Sequence, residues 1–267
     1  MRRMRFLGIL ITIFVLAQAA LAEQTRIVLI PTTLDHPWAT HMYGKGCEIL
    51  AKCLNQNPDV EAIVSPDLDW PKDPSILEGA DAIVYYSRPA GDILLAPERK
   101  EEVLNLLKKG VGYVAIHWST ATGDVKYGEE YLDILGGWFH FDHCGLKVET
   151  LPLIKMAPNH PVCRGWESYS VMDEFYLNLK FHEKTQPILK VEVDGTDQVV
   201  AWILEREDGG RSFGTTLAHF HSNFSIPAFR KAITNGILWS AKAEVPQEGS
   251  PIEIPEVVLS LPEEPPK

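Results

Sequence analysis

The chain has 267 residues, 45% hydrophobic and 23% charged, enough to bury the core of one α/β domain. A formal net charge of −11 makes it a poor ligand for polyanions, so nucleic acid is not an expected partner. The four cysteines, Cys47, Cys53, Cys144 and Cys163, form no C-x-x-C pair, which argues against a thiolate zinc site.

Residues 1–22 read as a signal peptide. Met1 to Arg5 is basic, Phe6 to Gln18 is apolar, and Ala20-Leu21-Ala22 fits the small-x-small cleavage rule. Cleavage before Glu23 removes three arginines and takes the net charge from −11 to −14. The expected location is therefore outside the cytoplasm, in a Gram-negative periplasm. Membrane contact is expected only through the uncleaved segment, because the apolar run is shorter than the ~20 residues of a spanning helix.

Short apolar, β-branched runs predict strands at 26–30, 61–65, 81–86 and 112–117. Helical patterns lie between them at 41–55 and 98–109, the second stopped by Gly110. This alternation predicts a parallel sheet with helices on both faces. A strand is expected at 146–151 and a proline-rich loop at 152–168. Further strands are expected at 188–193, 199–205 and 211–218, the last two joined through Asp208-Gly209-Gly210. Residues 226–241 read as a closing helix, with Pro227 in its first turn. The single domain spans 23–245. The Pro- and Glu-rich segment 246–267 is expected to be extended and mobile. Cys47 and Cys53 share a helix about 9 Å apart in rise, too far for a disulfide. A Cys144–Cys163 pair is open on spacing, but buried free thiols are the simpler reading.

The histidines carry the chemical signal. His117 directly follows the 112–116 run, His219 follows 212–218 with His221 behind it, and His36 and His41 follow the first strand. In open α/β sheets, ligands bind beyond the carboxyl ends of the strands. His117 can serve there as base, hydrogen-bond donor or metal ligand, against the plainer reading of a satisfied core histidine. His219 and His221 would share one face if they lay on a strand, and could then hold one metal. His143 follows the tight Gly136-Gly137 turn, and His140 beside it is expected at the surface. Asp173-Glu174 lies in an apolar stretch. A buried carboxylate needs a partner, so Glu174 reads as a base of raised pKa or a metal ligand, or as half of a salt bridge with Arg164 or Arg211. No G-x-S-x-G, Walker A or G-x-G-x-x-G pattern occurs, so neither covalent acyl chemistry nor a bound nucleotide is expected.

Taken in order, these pieces resemble the ThuA-like (trehalose utilisation) family of the class I glutamine-amidotransferase-like superfamily. The matching residues are His36-Pro37 with His41, Asp81 to Ser87, Gly110 to His117, and Gly136-Gly137-x-Phe139-x-x-x-His143, with one inserted position. They continue through Asn159-His160-Pro161, Asp173-Glu174-x-Tyr176, Val200-Ala201-Trp202, Gly210-Arg211, Thr216 to His219, and Asn235 to Trp239. Ala218 stands where the family pattern has glycine. The resemblance implies a flavodoxin-like, doubly wound, mostly parallel sheet with an antiparallel extension in the C-terminal half. It also implies loss of the amidotransferase cysteine and a carbohydrate substrate, in particular a keto-sugar or 3-keto-glycoside. On that basis Glu174 and His117 are the expected catalytic residues. His41, Tyr86, Trp118 and Arg211 are expected to bind sugar. His117, His143 and His219 are expected to hold one divalent metal, zinc or another transition metal. A non-catalytic sugar-binding module of the cell envelope is the alternative, and oligomeric state is not legible.

Overall fold

The computed structural model describes residues 24–264, so the expected signal segment lies outside the described residues. The chain runs β1 (Thr25–Pro31), α1 (Tyr43–Leu54), β2 (Val60–Val64), β3 (Ala82–Tyr86), α2 (Ala90–Leu94), α3 (Lys100–Leu107), β4 (Gly112–Ile116) and α4 (Gly128–Leu135). It continues through β5 (Gly137–Trp138), β6 (Gly145–Pro152), β7 (Ile154–Lys155), β8 (Ser170–Leu177), β9 (Lys180–Phe181), β10 (Gln186–Val193), β11 (Thr196–Glu205) and β12 (Arg211–Thr215). It closes with α5 (Pro227–Ser240) and α6 (Glu256–Leu259).

Eight strands form one mixed sheet in the order β2-β1-β3-β4-β12-β11-β10-β7. The first five are mutually parallel, and the last three extend the sheet by antiparallel pairing. Strands buried on both faces need apolar residues at every position. In β1, Ile27 and Leu29 join the core beneath α1 and α5, while Val28 and Ile30 join the core beneath α2, α3 and α4. The same parity separates Val84 and Tyr86 from Ile83 and Tyr85. Pairing of Glu205 with Arg211 bears out the hairpin turn at 208–210. Gly136 takes φ +86° at the end of α4, and a Cβ on Gly137 would lie 2.4 Å from the Trp202 indole, so this path requires both glycines.

Three expectations change. The final strand ends at Thr215, not Ala218, because the chain turns towards the site described below. β8, unmarked in the sequence reading, pairs with β6 along its whole length as a separate two-stranded sheet. The segment after Val245 is not a loose tail over its described part. Ser250, Ile252 and Leu259 are buried, and the Ser250 hydroxyl accepts from the Asn57 amide at 2.9 Å. His221 Nε2 donates to the Leu259 carbonyl at 2.7 Å, and Arg230 Nε donates to the Ile252 carbonyl at 3.3 Å. All four cysteines are free, and Cys47, Cys53 and Cys163 are buried.

Candidate metal centre

β1, β4 and β12 run parallel, so the segments leaving their carboxyl ends meet at one edge of the sheet. They bring together His41, His117 and His219, and β8 adds Glu174 from the side. One ligand atom from each of the four lies within 4.8 Å of the others. The backbone turns sharply to achieve this. His41 has φ +48°, His117 +55° and Ala218 +99°, all in the region that side chains with a Cβ rarely adopt. Such strain costs roughly 1–3 kcal/mol per residue and persists only where the surroundings enforce it. Here backbone contacts enforce it, since His41 N–H donates to the His219 carbonyl at 3.0 Å and Thr40 bridges to Phe220.

Hydrogen bonds at the far side of two rings set their tautomers. His117 Nδ1 lies 2.6 Å from the Thr216 carbonyl, which can only accept, so Nδ1 carries the proton. The Tyr43 hydroxyl donates to Asp35 Oδ1 at 3.0 Å, leaving its oxygen to accept from His41 Nδ1 at 2.7 Å. Both Nε2 atoms of the neutral rings therefore present lone pairs, and they face each other at 2.9 Å. His219 Nδ1 completes a triangle, 3.0 Å from His41 Nε2 and 3.2 Å from His117 Nε2. A proton on His219 Nδ1 or on the Tyr176 hydroxyl, 3.2 Å from His117 Nε2, satisfies only part of this converging set. A cation at the centre satisfies all of it. Tetrahedral zinc with Zn–N near 2.05 Å has ligand–ligand edges of about 3.3 Å, close to the observed spacing. Glu174 Oε2 stands farther off, 3.7 Å from His117 Nε2 and 3.5 Å from His219 Nδ1.

The electrostatics suit ligation, which requires neutral imidazole. Burial pushes His117 well below the usual histidine range, reinforced by the neighbouring His41. Burial also lowers His41, against an opposing hydrogen bond to Asp35. Asp173, fully buried, holds the third corner in place. Its carboxylate accepts from Ala218 N–H at 2.8 Å, His219 N–H at 2.9 Å and Glu174 N–H at 3.0 Å. Burial raises this carboxyl to about 6, while those three donors pull it down. The alternative salt bridge from Glu174 to Arg164 or Arg211 does not form, because the Glu174 carboxylate faces His117 and His219 instead.

Several expected site residues are placed elsewhere. His143 lies outside the cluster, its ring 4.9 Å from Trp138, and His41 takes the corner assigned to it. Arg211 begins β12, at the opposite edge of the sheet from the histidines, where it donates to the Trp239 carbonyl at 3.3 Å. Tyr86 cannot stack on a sugar, being fully buried with its hydroxyl donating to the Ala218 carbonyl at 2.6 Å. His221 does not share a strand face with His219, since the strand has already ended. His140 is buried, not at the surface. Trp118 remains half-buried at the rim, its ring 5.6 Å from Phe141 and 6.1 Å from Tyr176. Sequence reasoning missed Asp35 and Tyr43, which orient His41, and Tyr176. The one sequence signal for Asp35 was its place in the turn beyond the first strand. A cavity of about 460 Å³ bordered by Leu104, Ile134 and Arg206 opens at the far edge of the sheet and holds no comparable cluster.

Comparison with known proteins bears on the family and the fold. The family model described as ThuA, trehalose utilisation, matches residues 28–240. Among solved structures, the chain is similar to a ThuA-like protein from Bacteroides uniformis, with TM-score 0.63 and 14% identity over 85% of this chain and 95% of that one. A ThuA-like protein from Parabacteroides merdae gives TM-score 0.58 and 17% identity over 85% and 95%. A cytoplasmic protein from Salmonella typhimurium gives 0.56 and 13% over 80% and 98%. At these identities the likeness shows a shared fold. No curated protein matches the chain. The extent of the family match over an unbroken α/β domain shows that the chain belongs to the ThuA (trehalose utilisation) family.

Proposed function

We propose that this protein is an exported, metal-dependent enzyme that removes the C2 proton of keto-sugars or 3-keto-glycosides. The family description supports a sugar-related role. The observation that carries the finer reading is the convergence of three imidazole nitrogens at 2.9–3.2 Å beside a carboxylate outside their triangle. His41, His117 and His219 would hold the ion. When bound, a divalent ion supplies an electrophile for the carbonyl and enolate oxygens.

The chain's own residues supply the rest. Glu174 is the partly exposed member of the cluster, and its side chain is 18% accessible while that of His117 is fully buried. That exposure supports Glu174 as the group that meets a C–H bond. A ketone at C3 acidifies the hydrogen on C2. Glu174 takes that proton, and the C–H electron pair forms the C2–C3 double bond with charge on the C3 oxygen. On collapse, the C3 carbonyl re-forms, a C1–C2 double bond forms, and the C1–O bond to the aglycone breaks. The leaving oxygen takes the proton back from Glu174. If instead the 2-hydroxyl proton passes to the C3 oxygen and Glu174 returns its proton to C3, the C2 oxygen becomes the carbonyl and the ketone moves to C2. Trp118 offers an indole at the rim for the sugar face.

The test uses purified, zinc-loaded protein with a chromogenic 3-keto-glucoside and the unoxidised glucoside, products being followed by mass spectrometry. Aglycone release from the keto form alone supports elimination, and a moved ketone with the aglycone retained supports isomerisation. Glu174→Gln should lower turnover by about 10²-fold or more and still bind one equivalent of metal. Undiminished turnover removes the base assignment, and loss of the metal makes Glu174 a ligand. Binding of both glycosides without reaction favours a sugar-binding module. Export is tested by the N-terminus of the protein recovered from cells, expected at Glu23.

A further inference from the structure

The paired strands β6 and β8 turn one face to the main core and the other away from it, towards the histidines at Glu174 and Tyr176 and towards solvent beyond them. Val171 and Phe175 of β8 and Leu151 of β6 point inward and join the main core. The outward face carries Met172 and Glu174 on β8, with Leu146 and Val148 on β6. Surface strands ordinarily carry polar residues there. Here Val148 is 54% exposed, Met172 48% and Leu146 39%.

Register ties this apolar strip to the histidine centre. Val148 pairs directly with Glu174, and Leu146 pairs with Tyr176, whose hydroxyl touches His117. Directly opposed side chains lie about 5 Å apart. Met172 is two residues from Glu174 on the same face, roughly 7 Å along the strand. Phe141, 63% exposed, lies with its ring tilted against Trp118 at 5.6 Å, and Trp118 in turn lies 6.1 Å from Tyr176. A substituent on a sugar held at the metal, with its C2 hydrogen at Glu174, reaches this strip within the length of one ring.

We infer that Leu146, Val148 and Met172 form a subsite for an apolar aglycone, so that the substrates are glycosides of aromatic or alkyl alcohols in preference to sugar–sugar glycosides. This rests on the keto-glycoside reading above. The aglycone departs from C1, next to the carbon that Glu174 deprotonates. A wall beside Glu174 therefore holds the leaving group without contacting the metal. Continuity with Glu174 on one strand face selects this occupant over a second copy of the chain, which would have to cover the catalytic carboxylate.

The experiment compares the binding of phenyl and methyl 3-keto-glucosides to the zinc-loaded full chain by calorimetry. Burying one phenyl ring at about 25 cal/mol per Å² predicts that the phenyl glycoside binds roughly tenfold or more tightly. The Val148→Thr/Met172→Gln double variant should narrow that ratio to about threefold or less, with retained metal and far-UV signal reporting a folded protein. Equal affinity of the two glycosides for the wild type, or a ratio unmoved by the double variant, overturns the subsite while leaving the keto-glycoside reading intact. Failure of both glycosides to bind defeats that reading, and the subsite with it. Light scattering that shows a dimer dissociated by the double variant assigns the strip to a second copy instead.

Discussion

Replacing Asp35 with asparagine keeps the size of the side chain and removes its charge. Asp35 Oδ1 lies 2.8 Å from His36 Nδ1, 3.0 Å from the Tyr43 hydroxyl and 3.3 Å from His41 Nδ1. Partial burial pushes this carboxyl up, but hydrogen bonds from His41, His36 and Tyr43 outweigh it and hold the group at about 2, against an ordinary 3.8. That displacement corresponds to roughly 2.4 kcal/mol at ~1.36 kcal/mol per unit, and solvent screening of a carboxylate 31% exposed reduces it to about 1 kcal/mol. The folded value lies below the unfolded one. The stabilisation is therefore complete above about pH 4 and is lost as pH falls towards 2. Urea unfolding of metal-free wild type and Asp35→Asn should differ by about 1 kcal/mol at pH 5–6, and the gap should close near pH 2. Zinc affinity should fall by about 10–100-fold, because the carboxylate no longer fixes the ring and tautomer of His41. A chelator competition measures this. A gap that does not change with pH, or zinc affinity within about twofold of wild type, refutes the role of Asp35 in orienting His41.

The depressed His117 and His41 leave both rings neutral below the usual histidine range, so zinc should stay bound as pH drops through 6.5 and be released only in more acid solution. Equilibrium dialysis against pH checks this, and release near 6.5 contradicts it. Ala218→Gly should be near neutral, within about 1 kcal/mol, because relief of the positive φ offsets the lost methyl and the added chain entropy. Ala115→Gly, in the middle of β4, should cost roughly 1.5 kcal/mol, since it has no strain to relieve. Paired denaturant titrations compare the two. Truncation after Val245 leaves His221 and Arg230 without the Leu259 and Ile252 carbonyls. A loss of about 3 kcal/mol is expected, seen as a fall in Tm of roughly 6–12 °C. An unchanged Tm restores the mobile tail.

Much of the fold is legible along the chain because strands buried on both faces appear as unbroken apolar runs. His117 and His219 were legible for a related reason, since each follows such a run and the carboxyl ends of parallel strands share an edge. Other features were hidden. β8 carries Asp173 and Glu174 in its middle, which breaks the apolar run that marks a strand, yet those carboxylates face backbone donors and the histidine cluster. Tyr85 and Tyr86 end the same doubly covered strand, and no local pattern says which of them faces α1. Arg211 read as part of the site because it lies in a matching motif. Strand direction puts it at the opposite edge, four residues before Thr215.

By itself, then, the sequence determines the order of the elements, the two-sided sheet and the supply of histidines to its carboxyl edge. Those are set by local periodicity and by the burial that each periodicity demands. Only the tertiary structure decides that His41, not His143, completes the centre. The three nitrogens come from residues 76, 102 and 178 positions apart. Their meeting depends on a backbone bond from His41 to His219 and on Asp173 holding the 218–219 turn. Pairings of that range are won against loop-closure entropy by the packing of the whole sheet, and no short stretch of the chain encodes them.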